Sequence, residues 1–124
     1  MKILSYYNMI VTDKKMINVI LTVLADEESR DIFNIIKEKP VSAHEILRYS
    51  KIPHTSFYRK INWMLNNKLV IIDSVQETKD GKKYSMFRAI FNDITIKLQR
   101  DVITIEATPT VDLAEIIANE FFGL

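Results

Sequence analysis

The hydrophobic period of this chain changes near Asn67, and that change restricts its fold more than any other feature. Before it, apolar residues recur at helical spacing: Met16, Ile17, Ile20, Leu21 and Leu24, then Ile32, Phe33, Ile35 and Ile36, then Phe57, Ile61, Met64 and Leu65. After it the period is two. Val70 to Glu77 and Lys83 to Phe91 are rich in β-branched and aromatic residues, and Asp80-Gly81 between them favours a hairpin turn. Ile94, Ile96 and Leu98, a Gln99-Arg100-Asp101 turn, then Val102, Ile103 and Ile105 predict a second hairpin, which Pro109 closes. Residues 111–122 return to helical spacing through Leu113, Ile116, Ile117 and Phe121. Helices, then hairpins, then a helix predict an α+β fold.

Punctuation residues divide the helical half. Thr12 or Asp13 can cap the first helix, and Asp26 the second, with Glu27, Glu28 and Asp31 near its positive end, Lys37 and Lys39 near its negative end, and Pro40 as its stop. Ser42 with Glu45 forms a capping box that opens a short helix through about Tyr49, burying Ile46 and Leu47. Ser50-Lys51-Ile52-Pro53 reads as a tight turn, and a helix from about His54 to Asn66 follows, ended by Asn67 in the left-handed conformation. The first twelve residues fit a strand or a helical extension equally.

At 124 residues and 48% hydrophobic content, the chain fits one domain able to bury a core unaided. There are two glycines and three prolines, and no low-complexity stretch or repeat, so no linker, solenoid or propeller is expected. With no cysteine, disulfides, thiolate metal sites and cysteine nucleophiles are excluded, and two histidines are too few for a dedicated transition-metal site. No cofactor is expected. No apolar run reaches the roughly 18 residues of a membrane span, and the N-terminus lacks signal-peptide features, so a cytoplasmic location away from membranes is expected. No Gly-rich phosphate loop, serine-nucleophile motif or His-rich metal spacing occurs, and a helix N-terminus accounts for the carboxylates of Asp26, Glu27 and Glu28, so an enzyme is not expected.

Charge is segregated along the chain. The overall net is +1, but residues 1–53 hold eight Lys/Arg against seven Asp/Glu, residues 54–100 nine against four, and residues 101–124 none against five. The competing readings are chance clustering on solvated faces and a middle segment that faces an anion.

The order of these elements, three helices with a tight turn before the third and a basic hairpin after it, is that of a winged helix-turn-helix. Leu24-Ala25-Asp26-Glu27-Glu28-Ser29-Arg30-Asp31-Ile32-Phe33 resembles the opening helix of ArsR-like winged helix-turn-helix regulators of archaeal type. Ile52-Pro53-His54-Thr55-Ser56-Phe57-Tyr58-Arg59-Lys60-Ile61 resembles the start of their recognition helix. Asn67-Lys68-Leu69-Val70 is similar to the end of that helix, with lysine where the family usually has glycine. The resemblance covers residues 20–91, the core of the single domain, and leaves the terminal segments 1–19 and 92–124 for packing or dimerisation.

It implies sequence-specific binding of double-stranded DNA. A projection at about 100° per residue puts Thr55, Ser56, Arg59, Asn62, Trp63 and Asn66 opposite Phe57 and Ile61. Arg59 is the candidate for a guanine edge, His54, Thr55 and Ser56 for bases or phosphate at the helix start, and Tyr58 and Lys60 flank the stripe. Lys79, Lys82, Lys83 and Arg88 would track phosphates from the wing. The competing reading of Arg59 and Lys60 is a solvated helix face, and of His54 a neutral turn residue. Trp63 is expected in the core, where the family has an apolar residue, and Tyr84, Met86 and Phe87 are expected in sheet packing. The apolar segments 13–24 and 111–122 predict a homodimer, with intramolecular packing as the alternative. The rival function is a winged-helix protein–protein interaction module of transcription or other machinery that touches no DNA.

Overall fold

Asp13 stands in extended conformation and accepts the amide of Met16 at 3.1 Å, which starts the first helix, α1 (Lys14–Ala25). In this computed structural model, which describes residues 8–110, Asp26 then ends one helix and starts the next. Its N–H bonds Val23 O at 3.2 Å, while its Oδ2 accepts the amide and hydroxyl of Ser29 at 3.0 and 2.7 Å, opening α2 (Glu27–Ile36). Arg30 reaches back and donates to Leu24 O at 2.6 Å, satisfying a carbonyl at the end of α1. Ser42 Oγ accepts Glu45 N at 3.2 Å to open α3 (Ala43–Tyr49), and the turn through Pro53 leads into α4 (His54–Asn66).

The helices α2, α3 and α4 bury most of the residues their periodicity selects, but in α1 only Ile20 of the selected five is buried: Val19 and Val23 are buried in place of Met16, Ile17, Leu21 and Leu24, which are half-buried. Ile20 and Val23 of α1, Ile32 and Ile36 of α2, Ile46 of α3, and Phe57, Ile61 and Met64 of α4 form one core with Leu69 and Val70, while Ile35, Leu47 and Leu65 pack half-buried at its margin. Truncating a residue as enclosed as Phe57 to alanine costs about 3–5 kcal/mol.

Two antiparallel three-stranded sheets complete the described residues. A short β1 (Met9–Val11) resolves the ambiguous start as a strand, and Val41–Ser42 forms a two-residue β2 that the sequence does not announce. The other strands are β3 (Val70–Glu77), β4 (Lys83–Ala89), β5 (Phe91–Gln99) and β6 (Val102–Pro109). The orders are β2-β4-β3 and β1-β6-β5. A bulge between Ile72 and Ser74 adds Asp73 to β3 opposite β4. The fold is α+β, as expected.

Three local expectations need correction. Asn67 is not left-handed, with φ −95° and ψ 10°; Lys68 is, at φ 64°. Lys68 N bonds Leu65 O at 3.1 Å and Leu69 N bonds Met64 O at 3.0 Å, the paired bonds of a Schellman ending, so the left-handed position falls one residue later than the asparagine suggested. Lys83 to Phe91 is not one strand: β4 stops at Ala89, Ile90 N bonds Leu69 O at 3.0 Å, and Phe91 pairs with Pro109 in the other sheet. Gln99 belongs to β5, opposite Val102, so the second turn is Arg100-Asp101 alone, both left-handed at φ 53° and 65°. Thr110 N bonds Ile90 O at 2.8 Å, so the end of α4, the break between β4 and β5 and the end of β6 meet in one buried seam. The helix expected over residues 111–122 lies outside the described residues.

Candidate nucleic-acid interface

The packing that buries Phe57, Ile61 and Met64 turns the opposite side of α4 outward. His54, Thr55, Tyr58, Arg59, Asn62 and Asn66 are exposed there, with Ser56 half-buried among them. No side chain caps the start of α4, where Pro53 occupies the N-cap. Its first amides therefore face outward with short polar residues beside them, a place suited to an anion or a base edge. The Tyr58 ring meets Phe57 edge-on at 5.0 Å between centroids, and this buried neighbour fixes its direction.

The β3–β4 hairpin stands beside this helix. Its turn is tied by Thr78, whose N–H bonds Lys82 O at 2.8 Å, whose O accepts Gly81 N at 3.0 Å, and whose hydroxyl accepts Lys82 N at 3.0 Å and donates to the Asp80 carboxylate. Gly81 adopts φ +86°, a conformation that a Cβ disfavours. Lys79, Lys82 and Lys83 are exposed around this turn. Between hairpin, α4 and the start of α3 lies an open groove of about 970 Å3 whose lining includes Ser42, His44, Tyr58, Lys82, Lys83 and Tyr84. Glu45 also lines it, and Glu77 and Asp80 lie on the same hairpin, so the local excess of positive charge is small.

The structure therefore gathers His54, Thr55, Ser56, Tyr58, Arg59 and Asn62 on one helix surface and Lys79, Lys82 and Lys83 on the adjoining hairpin. It does not bring Lys60 or Arg88 to that surface. Lys60 Nζ lies 2.5 Å from Asp26 Oδ2 and 3.0 Å from Glu28 Oε1, with its side chain only 14% exposed. Its charge is spent between helices. Its hydrogen bond to the Asp26 carboxylate holds the Lys60 ammonium above its ordinary pKa against the opposing effect of burial, with help from Glu28. Arg88 is 8% exposed because it lies on β4, the central strand of its sheet, near the end that joins the core.

The aromatic expectations divide. Phe87 is buried and Met86 half-buried, as sheet packing requires, but Tyr84 is 42% exposed and lines the groove. Trp63 is 39% exposed, as the helical projection gave and contrary to the family-based expectation of core packing, because Ile61 and Met64 already occupy the buried face. It shares a smaller hollow of about 350 Å3 with Thr22, Val23 and Arg59. His44 and Ser42 are groove residues that sequence reasoning missed. The capping box fixed their place at the start of α3, but only the tertiary fold brings that start to the hairpin.

No group of three or more His, Cys, Asp or Glu able to hold a metal occurs among the described residues, and no helix there is long and apolar enough to cross a membrane. No family model, curated protein or solved structure matches the chain.

Proposed function

We propose that the chain is a sequence-specific double-stranded DNA-binding regulator of winged helix-turn-helix type, ArsR-like, acting as a homodimer in the cytoplasm. The observation that carries this reading is the exposed polar face of α4 beside a hairpin that exposes three lysines, with Tyr58 of α4 and Lys82 and Lys83 of the hairpin lining one open groove. A helix of 13 residues is about 20 Å long, and an α-helix fits the roughly 12 Å width of the major groove. With α4 in that groove, Arg59 presents its planar fork to a guanine edge, Asn62 can read an adenine, and Thr55 and Ser56 reach bases or phosphate near the helix start. Lys79, Lys82 and Lys83 then neutralise the phosphate backbone from the wing. Lys60, paired with Asp26 and Glu28, and the buried Arg88 do not contact the DNA.

A second reading is favoured by a specific observation. The same hairpin exposes Ile72 at 49% and Val75 at 59% beside its lysines, a surface that a protein partner could cover without DNA. Titration of the purified chain with random-sequence duplex DNA at several salt concentrations separates the two. Binding that weakens steeply with salt, followed by enrichment of preferred sequences, supports the DNA reading. No binding at low ionic strength supports the interaction module.

A further inference from the structure

The proposed homodimer leaves open which surface joins the copies, and β5 carries an answer. Among the described residues β5 is the edge of its sheet, nine residues long, with no strand on its outer side. Its residues alternate. Ile94, Ile96 and Leu98 lie on the face shared with Ile105 and Ala107 of β6, while Asp93, Thr95, Lys97 and Gln99 lie on the other and are all exposed. On the apolar face, Ile96 is 39% and Leu98 71% exposed, and cross-strand Ile103 is 40% exposed, so an apolar strip continues uncovered to the hairpin tip.

A long edge strand with an apolar face is a template for another strand, and proteins usually oppose such pairing with a lysine. Lys97 is that lysine, but the strand also carries one acid, Asp93. If a second copy pairs antiparallel about a two-fold axis, facing residues must share parity for the apolar faces to coincide. Among such registers, the one centred on Thr95 sets Asp93 opposite Lys97 of the other copy, twice, and Ile94 opposite Ile96, twice. Centring on Ile96 sets Lys97 against Thr95, and centring on Lys97 sets it against itself, where like charges repel. The strand's two charges thus complement each other in one register only.

We propose that two copies of the chain join through β5, paired antiparallel about Thr95, into one continuous six-stranded sheet. This rests on the homodimer of the proposed function but not on its DNA contacts. A single strand pair buries less than a standard interface, so the dimer dissociates on dilution.

The absence of cysteine allows a direct test on the full chain. Facing residues of an antiparallel pair lie about 4.5–5.5 Å apart between Cα atoms, within disulfide reach, so Thr95→Cys forms a covalent dimer under mild oxidation. Gln99→Cys, about 27 Å from its counterpart along the paired strands, does not. Asp93→Lys or Lys97→Glu alone weakens self-association about tenfold or more by sedimentation, and the double exchange restores it. Circular dichroism reports whether each exposed variant keeps its fold. Crosslinking of Thr95→Cys no faster than Gln99→Cys, a wild type that stays monomeric at high concentration, or single reversals that leave the dimer intact would each overturn the proposal. Binding of the same variants to DNA is read separately: retained DNA binding with failed crosslinking rejects β5 pairing alone, and crosslinking without DNA binding rejects the regulator reading alone.

Discussion

At the scale of single residues, Asp26 ties three helices together, since its backbone ends α1, its carboxylate opens α2, and the same carboxylate pairs with Lys60 of α4. The Lys60 hydrogen bond first, and that from Ser29 second, lower its pKa from 3.8 to about 2. A depressed carboxylate contributes stability that is present above its unfolded value and lost as pH falls through the folded one, so this contribution fades between about pH 4 and pH 2. The Asp26 side chain is 43% exposed, so solvent screening leaves it about 1 kcal/mol. Asparagine caps as well as aspartate. Asp26→Asn therefore lowers the unfolding free energy by about 1 kcal/mol at pH 7 while leaving it near wild type at pH 2, measurable by denaturant titration at both pH values; an equal loss at both would show that the cap and not the ion pair matters. Asp26 as a cap was legible in the sequence because capping is local. Its pairing with Lys60, 34 residues away, is not local, so the sequence alone leaves Lys60 at the flank of the α4 stripe. Lys68 holds a left-handed conformation where glycine has no Cβ penalty, and Lys68→Gly should raise stability by about 0.5–1 kcal/mol, seen as a higher denaturation midpoint. A lower midpoint would mean that the lysine side chain contributes more than its backbone costs.

At the scale of elements, α4 and the β3–β4 hairpin are assigned different work, and variants should separate them. If α4 reads bases as proposed, Arg59→Ala is expected to cost about 1–3 kcal/mol at preferred sites and to relax discrimination between sequences. If the hairpin lysines meet phosphates as proposed, Lys82→Ala combined with Lys83→Ala is expected to weaken all duplexes alike and to flatten the plot of log affinity against log salt by about 2. Paired titrations of specific and random duplexes over a salt series check both, and a uniform loss for Arg59→Ala would reverse the assignment. The helices were legible because each has its apolar stripe and three of the four a capping side chain, and the hairpin turn because Gly81 suits left-handed backbone. The two-residue β2 and the bulge at Asp73 were not, since both exist only through pairing with β4. The alternation over residues 83–91 hides a change of sheet at Ile90, which is set by hydrogen bonds to Leu69 and Thr110 and not by any side-chain pattern. The burial of Arg88 on the central strand is equally invisible in that pattern.

For the molecule as a whole, the four helices of the described residues lie before the change of period near Asn67 and the four long strands after it, and the buried seam at Leu69, Ile90 and Thr110 joins the two parts. The α+β architecture and most of the α4 surface follow from pattern alone. The groove does not, since His44, Tyr58 and Tyr84 come from three elements that only the tertiary fold assembles. The charge asymmetry of the sequence survives in part: Lys79, Lys82 and Lys83 stand exposed together, but Glu77 and Asp80 share their hairpin. A modest electrostatic attraction is therefore predicted, with specificity resting on the α4 stripe. The stripe is proposed to recognise duplex DNA. Selection of bound sequences from a random duplex pool, with salt dependence and mass in solution recorded on the same protein, tests it most directly. Enrichment of a two-fold-symmetric sequence by a dimer, lost in Arg59→Ala, is the result predicted, and the absence of salt-dependent binding even at low ionic strength would contradict it.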